Sequence, residues 1–170
     1  MSTVYEQTIA TYNRGLSNLL KFFDKAETLA TAKKFDVDIL VNARLAPDMY
    51  PLVKQVQIAC DTAKSTAAKL VGKEPPKHED NERTIGELRL RVKKVLDYLS
   101  TYKAEDFKGC EDRRIYMPWA PGKWMNGGEY LTQMATPNYY FHMGATYMIL
   151  RHNGVDVGKM DFIGNANIQG

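Results

Sequence analysis

The residues best suited to chemistry are one imidazole and two carboxamides on two predicted helices. His142 follows Asn138 by four residues in the apolar, helically periodic segment 128–155, so a helix places both on one face. Gln55 interrupts the otherwise apolar face of a second predicted helix. A buried polar group costs about 1–3 kcal/mol unless it is partnered. We therefore expect these three side chains to face one another or a ligand.

His142 permits three interpretations at this stage. It is a neutral core histidine whose nitrogens are satisfied by Asn138 or Gln55, or a group that orients a ligand and transfers protons, or a metal ligand. Thr146 lies on the same predicted stripe as His142, and we include it among the ligand-binding candidates.

Two tryptophans flank a predicted tight turn, Ala120-Pro121-Gly122. Trp119 and Trp124 are expected to cover the end of a helical bundle, and Trp119 is a candidate for lining a ligand pocket. The sequence shows no Ser-His-Asp order, glycine-rich phosphate loop or Cys-His motif.

Composition excludes several classes of protein. The 170 residues carry a net charge of only +3, with 44% hydrophobic and 25% charged residues, which fits a single globular domain over residues 1–170. Basic and acidic residues are interspersed, so we expect no nucleic-acid partner. The two cysteines have no CxxC spacing, and neither a secretory signal nor an 18-residue apolar segment is visible. We therefore expect a cytoplasmic protein with no membrane partner.

Four amphipathic segments predict the fold. The first covers residues 2–23, with Glu6 placed for a capping box, and an alanine-rich run 25–35 either continues it or follows a bend near Asp24. The second is predicted from an Asp48 cap to Val71, before Gly72.

The third helix is predicted to open with the capping box Thr84-x-x-Glu87, and residues 113–126 are predicted to form a two-stranded hairpin. The last helix either runs from Gly128 with a kink at Pro137, or begins afresh with Thr136 as its cap. The sequence thus predicts an all-α protein, an antiparallel four-helix bundle with a small hairpin before its last long helix.

The last helix carries a resemblance to a known family. Asn138-x-x-x-His142, then Met143-Gly144-Ala145 and Leu150-Arg151-His152-Asn153-Gly154, resembles the signature of the DinB-like (YfiT-like) superfamily. The segments ARLAPDMYPL, QVQIACDTAK and GKMDFIG extend the likeness over residues 2–164, towards a branch that is a domain of unknown function.

The resemblance implies a metal site that this chain lacks in part. The superfamily binds a divalent metal through one histidine on the second helix and two on the last. Only His142 matches, since Asn138 and Gln55 stand at the other two positions. Neutral carboxamide oxygens are poor ligands for zinc or nickel. We therefore expect a degenerate site without metal or other cofactor, and the superfamily's metal-dependent activities do not carry over.

Two functions follow as expectations. The first is binding of a small organic molecule at the bundle centre, with His142 as the catalytic residue of a metal-independent isomerase, cyclase or transferase, aided by Gln55, Asn138, Trp119 and Thr146. The alternative is a non-catalytic ligand-binding or structural protein of the same fold. The resemblance and the aromatic-rich last helix favour a homodimer in either case.

Overall fold

The computed structural model describes residues 3–165, which are mostly helical (67%) with one small antiparallel hairpin. The principal elements follow in chain order: α1 Thr11–Lys33, α2 Leu52–Leu70, α3 Ile85–Ser100, β1 Arg114–Tyr116, β2 Trp124–Asn126, α4 Gly127–Glu129, α5 Thr136–His152 and α6 Lys159–Ile163. Short 3₁₀ segments connect them at Val37–Asn42, Ala104–Phe107 and Cys110–Asp112.

The N-terminal helix is continuous past Asp24, which decides between the two predicted alternatives. Thr3 and Glu6 form a reciprocal cap, in which the backbone N–H of Thr3 donates to Oε2 of Glu6 at 2.7 Å. A π-helical segment, Glu6–Ala10, leads directly into α1. The helix ends where Lys34 adopts a left-handed conformation with φ of 58°.

The predicted start of α2 at Asp48 is wrong. Pro51 occupies the N-cap position in an extended conformation, and the helix begins at Leu52. A residue that precedes proline is disfavoured in the α region, so Tyr50 cannot continue a helix into Pro51. By contrast, α3 begins with the predicted capping box, in which Thr84 Oγ1 accepts from the Glu87 N–H at 3.1 Å.

The hairpin pairs Arg114 with Asn126, and α4 follows it immediately. The chain then remains helical through a π-helical segment, Tyr130–Ala135, into α5. Thr136 has helical dihedral angles, so it does not cap a fresh helix. Pro137 has no N–H to donate to a carbonyl oxygen of the preceding turn. The wider π-helical turn before it keeps the chain helical without that hydrogen bond.

The long helices pack in a closed order. α2 contacts α5 and α3, and α1 contacts α3 and α5, around an apolar core. Tyr12 of α1 packs on Tyr139 of α5 with ring centroids 4.6 Å apart, and the Tyr139 hydroxyl donates to the Tyr12 carbonyl oxygen at 3.3 Å. No helix within residues 3–165 has the length and apolarity needed to cross a membrane.

Candidate functional site

Two of the predicted site residues meet across the interface of α2 and α5. Nδ1 of His142 lies 2.7 Å from Oε1 of Gln55. The amide nitrogen of Gln55 in turn donates to the carbonyl oxygen of Tyr50 at 3.1 Å, just before α2 begins. Both side chains are buried, as the helical projections predicted.

This geometry fixes the protonation of the imidazole. The Gln55 amide donates through its nitrogen to Tyr50, so its oxygen accepts and Nδ1 of His142 carries the proton. Burial lowers the pKa of His142 from its ordinary value, which favours the neutral ring at pH 7. Nε2 therefore keeps a lone pair, and no residue in the described range donates to it.

Asn138 lies elsewhere than the helical projection predicted. Its side chain is exposed, and the core position of that turn is taken by the adjacent Tyr139. The Asn138 amide donates to Oγ1 of Thr62 on α2 at 2.7 Å, while Thr62 itself donates to the carbonyl oxygen of Ile58. Asn138 is thus at the exposed edge of the helix pair, one turn before His142.

A cavity of about 280 Å³ opens beside Asn138 between α2 and α5. Trp119, a residue that is 65% exposed, borders this cavity. Its role in ligand binding stays a prediction. His142 and Gln55 do not border it. Its remaining lining residues are Asp61, Thr62, Ser65, Tyr130, Met134 and Ala135.

Thr146 is fully buried one turn beyond His142, and its Oγ1 has no hydrogen-bond partner. It does not border the cavity beside Asn138. The five candidate residues therefore divide into a buried pair, an exposed cavity edge formed by Asn138 and Trp119, and one isolated hydroxyl.

The three positions that correspond to the superfamily's metal ligands do not fit a metal centre. Oε1 of Gln55 faces His142, and the Asn138 side chain faces Thr62, so the three side chains do not converge on one point. No group of three His, Cys, Asp or Glu side chains suited to a metal ion occurs in the part of the chain that the structure describes.

Sequence reasoning missed several residues around this site. Asp61, Thr62 and Ser65 border the cavity although they alternate with small core residues on α2. Thr62 can be recognised as part of the site only from its hydrogen bond with Asn138 in the folded protein. Cys60, which precedes Asp61 on α2, is fully buried, and burial raises the pKa of its thiol to about 12.

Arg91 of α3 is buried although its side chain is charged. Its guanidinium is 2% exposed and contacts carboxylates of Asp61 at 2.8 Å, and of Asp80 and Glu82 at 3.0 Å each. These ion pairs join α2, α3 and the loop 73–83. The charge pattern of α3 gave no signal for this, because the carboxylates come from distant positions in the sequence.

Comparisons with known proteins agree with the resemblance. A crystal structure described as a DinB family member from Shewanella denitrificans is similar, with 45% sequence identity and a TM-score of 0.95, over 98% of this chain and 95% of that chain. A search of curated proteins finds no match. The family described as Domain of unknown function (DUF1993) matches residues 4–163. The chain therefore belongs to the DUF1993 family, with a DinB-like fold.

Proposed function

We propose that this protein binds a small organic molecule at the seam between α2 and α5, with neutral His142 accepting a hydrogen bond or a proton from it. The observation that carries the proposal is the hydrogen bond between Gln55 and His142. It occupies Nδ1 and orients the ring, so Nε2 is the one ring nitrogen left for a ligand.

The packing of the long helices supports a rigid interface between α2 and α5, the seam of the proposed site. We infer that α1, α2, α3 and α5 form an antiparallel four-helix bundle, because each of them packs against two of the others. α2 and α5 run antiparallel, since His142 lies opposite Gln55 while the earlier Asn138 lies opposite the later Thr62. Sites between facing helices are common in bundles of this kind.

The proposed ligand has an apolar body and a polar hydrogen donor. Trp119 and Met134 offer apolar surface in the cavity, and the side-chain amide oxygen (Oδ1) of Asn138 has no partner among the described residues. One helical turn, about 5.4 Å, separates Asn138 from His142 along α5. A compound that rests in the cavity and extends one turn along the seam would bring an O–H, N–H or S–H group to Nε2.

The reaction class that fits is metal-independent proton transfer. A neutral imidazole removes a proton from an acidic donor and returns it from the imidazolium form, as isomerases, cyclases and some transferases require. Gln55 stabilises the ring orientation in both states, because its oxygen accepts from Nδ1–H throughout.

A ligand-observed NMR screen of small alcohols, phenols and thiols tests the proposal. We expect compounds that bind the wild-type protein to lose binding in His142→Gln and in Trp119→Ala. His152→Gln is the matched control, because His152 is exposed at the end of the same helix and should leave binding unchanged. Compounds that bind all variants equally, or a screen without any binding compound, would refute the proposal. Bound compounds that are never converted would reduce it to ligand binding without catalysis.

A further inference from the structure

A second cavity, of about 350 Å³, lies between the loop 73–83 and α3. It shares no lining residue with the cavity beside Asn138 and does not border the Gln55–His142 pair. The loop, which contains the Pro75-Pro76 pair, connects α2 and α3. Its charged side chains border a half-open space together with residues 87–94 of α3.

The carboxylates of this cavity are already engaged by the protein. Glu82 accepts from Arg91 at 3.0 Å and from Gln57 at 2.8 Å. Glu87 accepts from the backbone N–H groups of Arg83 and Thr84 at 2.6 and 3.1 Å. Glu79 accepts from the Asn81 amide at 3.2 Å. Each acidic group bordering the cavity therefore has a donor of its own.

Of the four basic side chains that border the cavity, Arg91 is ion-paired with carboxylates and the other three are unengaged. Lys77, His78 and Lys94 border it, and within residues 3–165 none of the three makes a hydrogen bond or an ion pair. Nδ1 of His78 is buried without a partner. A buried nitrogen without a hydrogen-bond partner is costly and calls for one. The groups left for a ligand are therefore cationic or protonatable, and they come from the loop and from α3.

We propose that this cavity binds a small oxyanion, a phosphate or carboxylate group, through Lys77, His78 and Lys94. Charge-assisted hydrogen bonds from the imidazolium form of His78 and from the two free ammonium groups would hold such an anion. The ion pairs of Arg91 with Asp80 and Glu82 hold the loop against α3, so the cavity is already formed without the anion.

Binding should be coupled to protonation of His78. Burial, and then Lys64, Arg91 and Lys94, lower the pKa of His78, with Asp61 opposing them. A bound anion would offset these cations and favour the imidazolium, so the anion should bind more tightly as the pH falls below 6.5. The charged groups that face His78 come from α2, α3 and its own loop: Lys64, Asp61, Arg91, Lys94, Glu87, Lys77, Glu79 and Glu82.

NMR titration of the full-length protein with inorganic phosphate tests this site directly. The chain has three histidines, so His→Gln variants assign each ring signal. We expect phosphate to raise the titration midpoint of His78 by about one pH unit, the size of shift that an adjacent opposite charge produces, and to leave that of exposed His152 unchanged. Sodium chloride at the same ionic strength should not reproduce the shift. A parallel titration with sodium acetate shows whether a carboxylate group also raises the titration midpoint of His78.

Matched lysine variants separate a built site from general screening. Lys94→Gln should weaken phosphate binding about tenfold, as expected for loss of a charged hydrogen bond. Lys93→Gln, which removes the neighbouring exposed charge that does not border the cavity, should leave affinity unchanged. Circular dichroism confirms that both variants fold. Equal weakening by the two substitutions would overturn the proposal, as would a His78 midpoint that phosphate and acetate leave where chloride does.

Discussion

The amide oxygen of Gln55 on α2 and Nδ1 of His142 on α5 lie 2.7 Å apart, with the two residues only 1% and 7% exposed. The hydrogen bond between these two residues has two consequences. It satisfies two buried polar groups between α2 and α5, and it leaves Nε2 of the imidazole without a donor among residues 3–165. Stability and the proposed ligand binding therefore depend on different atoms of the same ring.

The first prediction concerns the stability of this pair. His142→Leu leaves the buried Gln55 oxygen without its donor, so we expect the free energy of unfolding to fall by about 1–3 kcal/mol. The double variant Gln55→Leu/His142→Leu removes both polar groups and should recover most of that loss. Urea denaturation measures each value. A double variant less stable than His142→Leu would show that the pair is not coupled in this way.

The second prediction concerns pH. Burial lowers the pKa of His142 below its ordinary value of 6.5, so the unfolded chain takes up the proton first as the pH falls. This group's contribution to stability is therefore complete above pH 6.5 and is lost as the pH falls through the folded pKa. Urea denaturation from pH 7.5 down to about pH 5 should show a decline that is shallower in the Gln55→Leu/His142→Leu variant. Identical pH slopes in the two proteins would contradict the assignment.

The third prediction concerns the buried guanidinium of Arg91. Arg91→Met leaves the mostly buried Glu82 carboxylate without its cation, so we expect a loss of about 3–5 kcal/mol in unfolding free energy. Lys93→Gln, on the exposed face of the same helix, should change it by less than about 0.5 kcal/mol. Chemical denaturation measures both. Limited proteolysis should also cut the loop 73–83 faster in Arg91→Met, because that loop loses its ion pairs to α3.

The fourth prediction uses two adjacent glycines at the start of α4. A Cβ at Gly127 would overlap the backbone carbonyl oxygen of Cys110, whereas the nearest atoms to a Cβ at Gly128 belong to Glu111 at 3.8 Å. Gly127→Ala should therefore destabilise the protein by about 1–3 kcal/mol, while Gly128→Ala is tolerated. Thermal unfolding followed by circular dichroism compares them. Equal melting temperatures would mean that the backbone at Cys110 moves to accommodate the added methyl group without loss of stability.

The fifth prediction concerns association. α5 leaves large apolar side chains exposed, with Phe141 at 60% and Met148 at 48%. Together with the family resemblance, this face favours a homodimer. Light scattering should give twice the 19.3 kDa chain mass at micromolar concentration, and Phe141→Asp should shift it towards the single-chain mass. A wild-type protein that stays at 19.3 kDa would refute the prediction.

The sequence alone was sufficient for the local features of this protein. Apolar residues at helical spacing predicted the long helices, and the box of Thr84 and Glu87 placed the start of α3. These signals come from residues that are close together in the sequence. They determine helical hydrogen bonding locally, without reference to tertiary contacts. The burial of Gln55 and His142 was also predictable, since both lie on apolar faces.

Only the tertiary structure decided which polar groups meet. Helical periodicity assigns a face but gives neither the distance to the next helix nor its register, so Asn138 was placed with His142 although it contacts Thr62 at an exposed edge. The ion pairs of Arg91 likewise depend on residues of other elements, Asp61 on α2 and Glu82 in the loop before α3. Folding brings these groups together because helix packing, rather than local sequence, sets the distances between side chains on different elements.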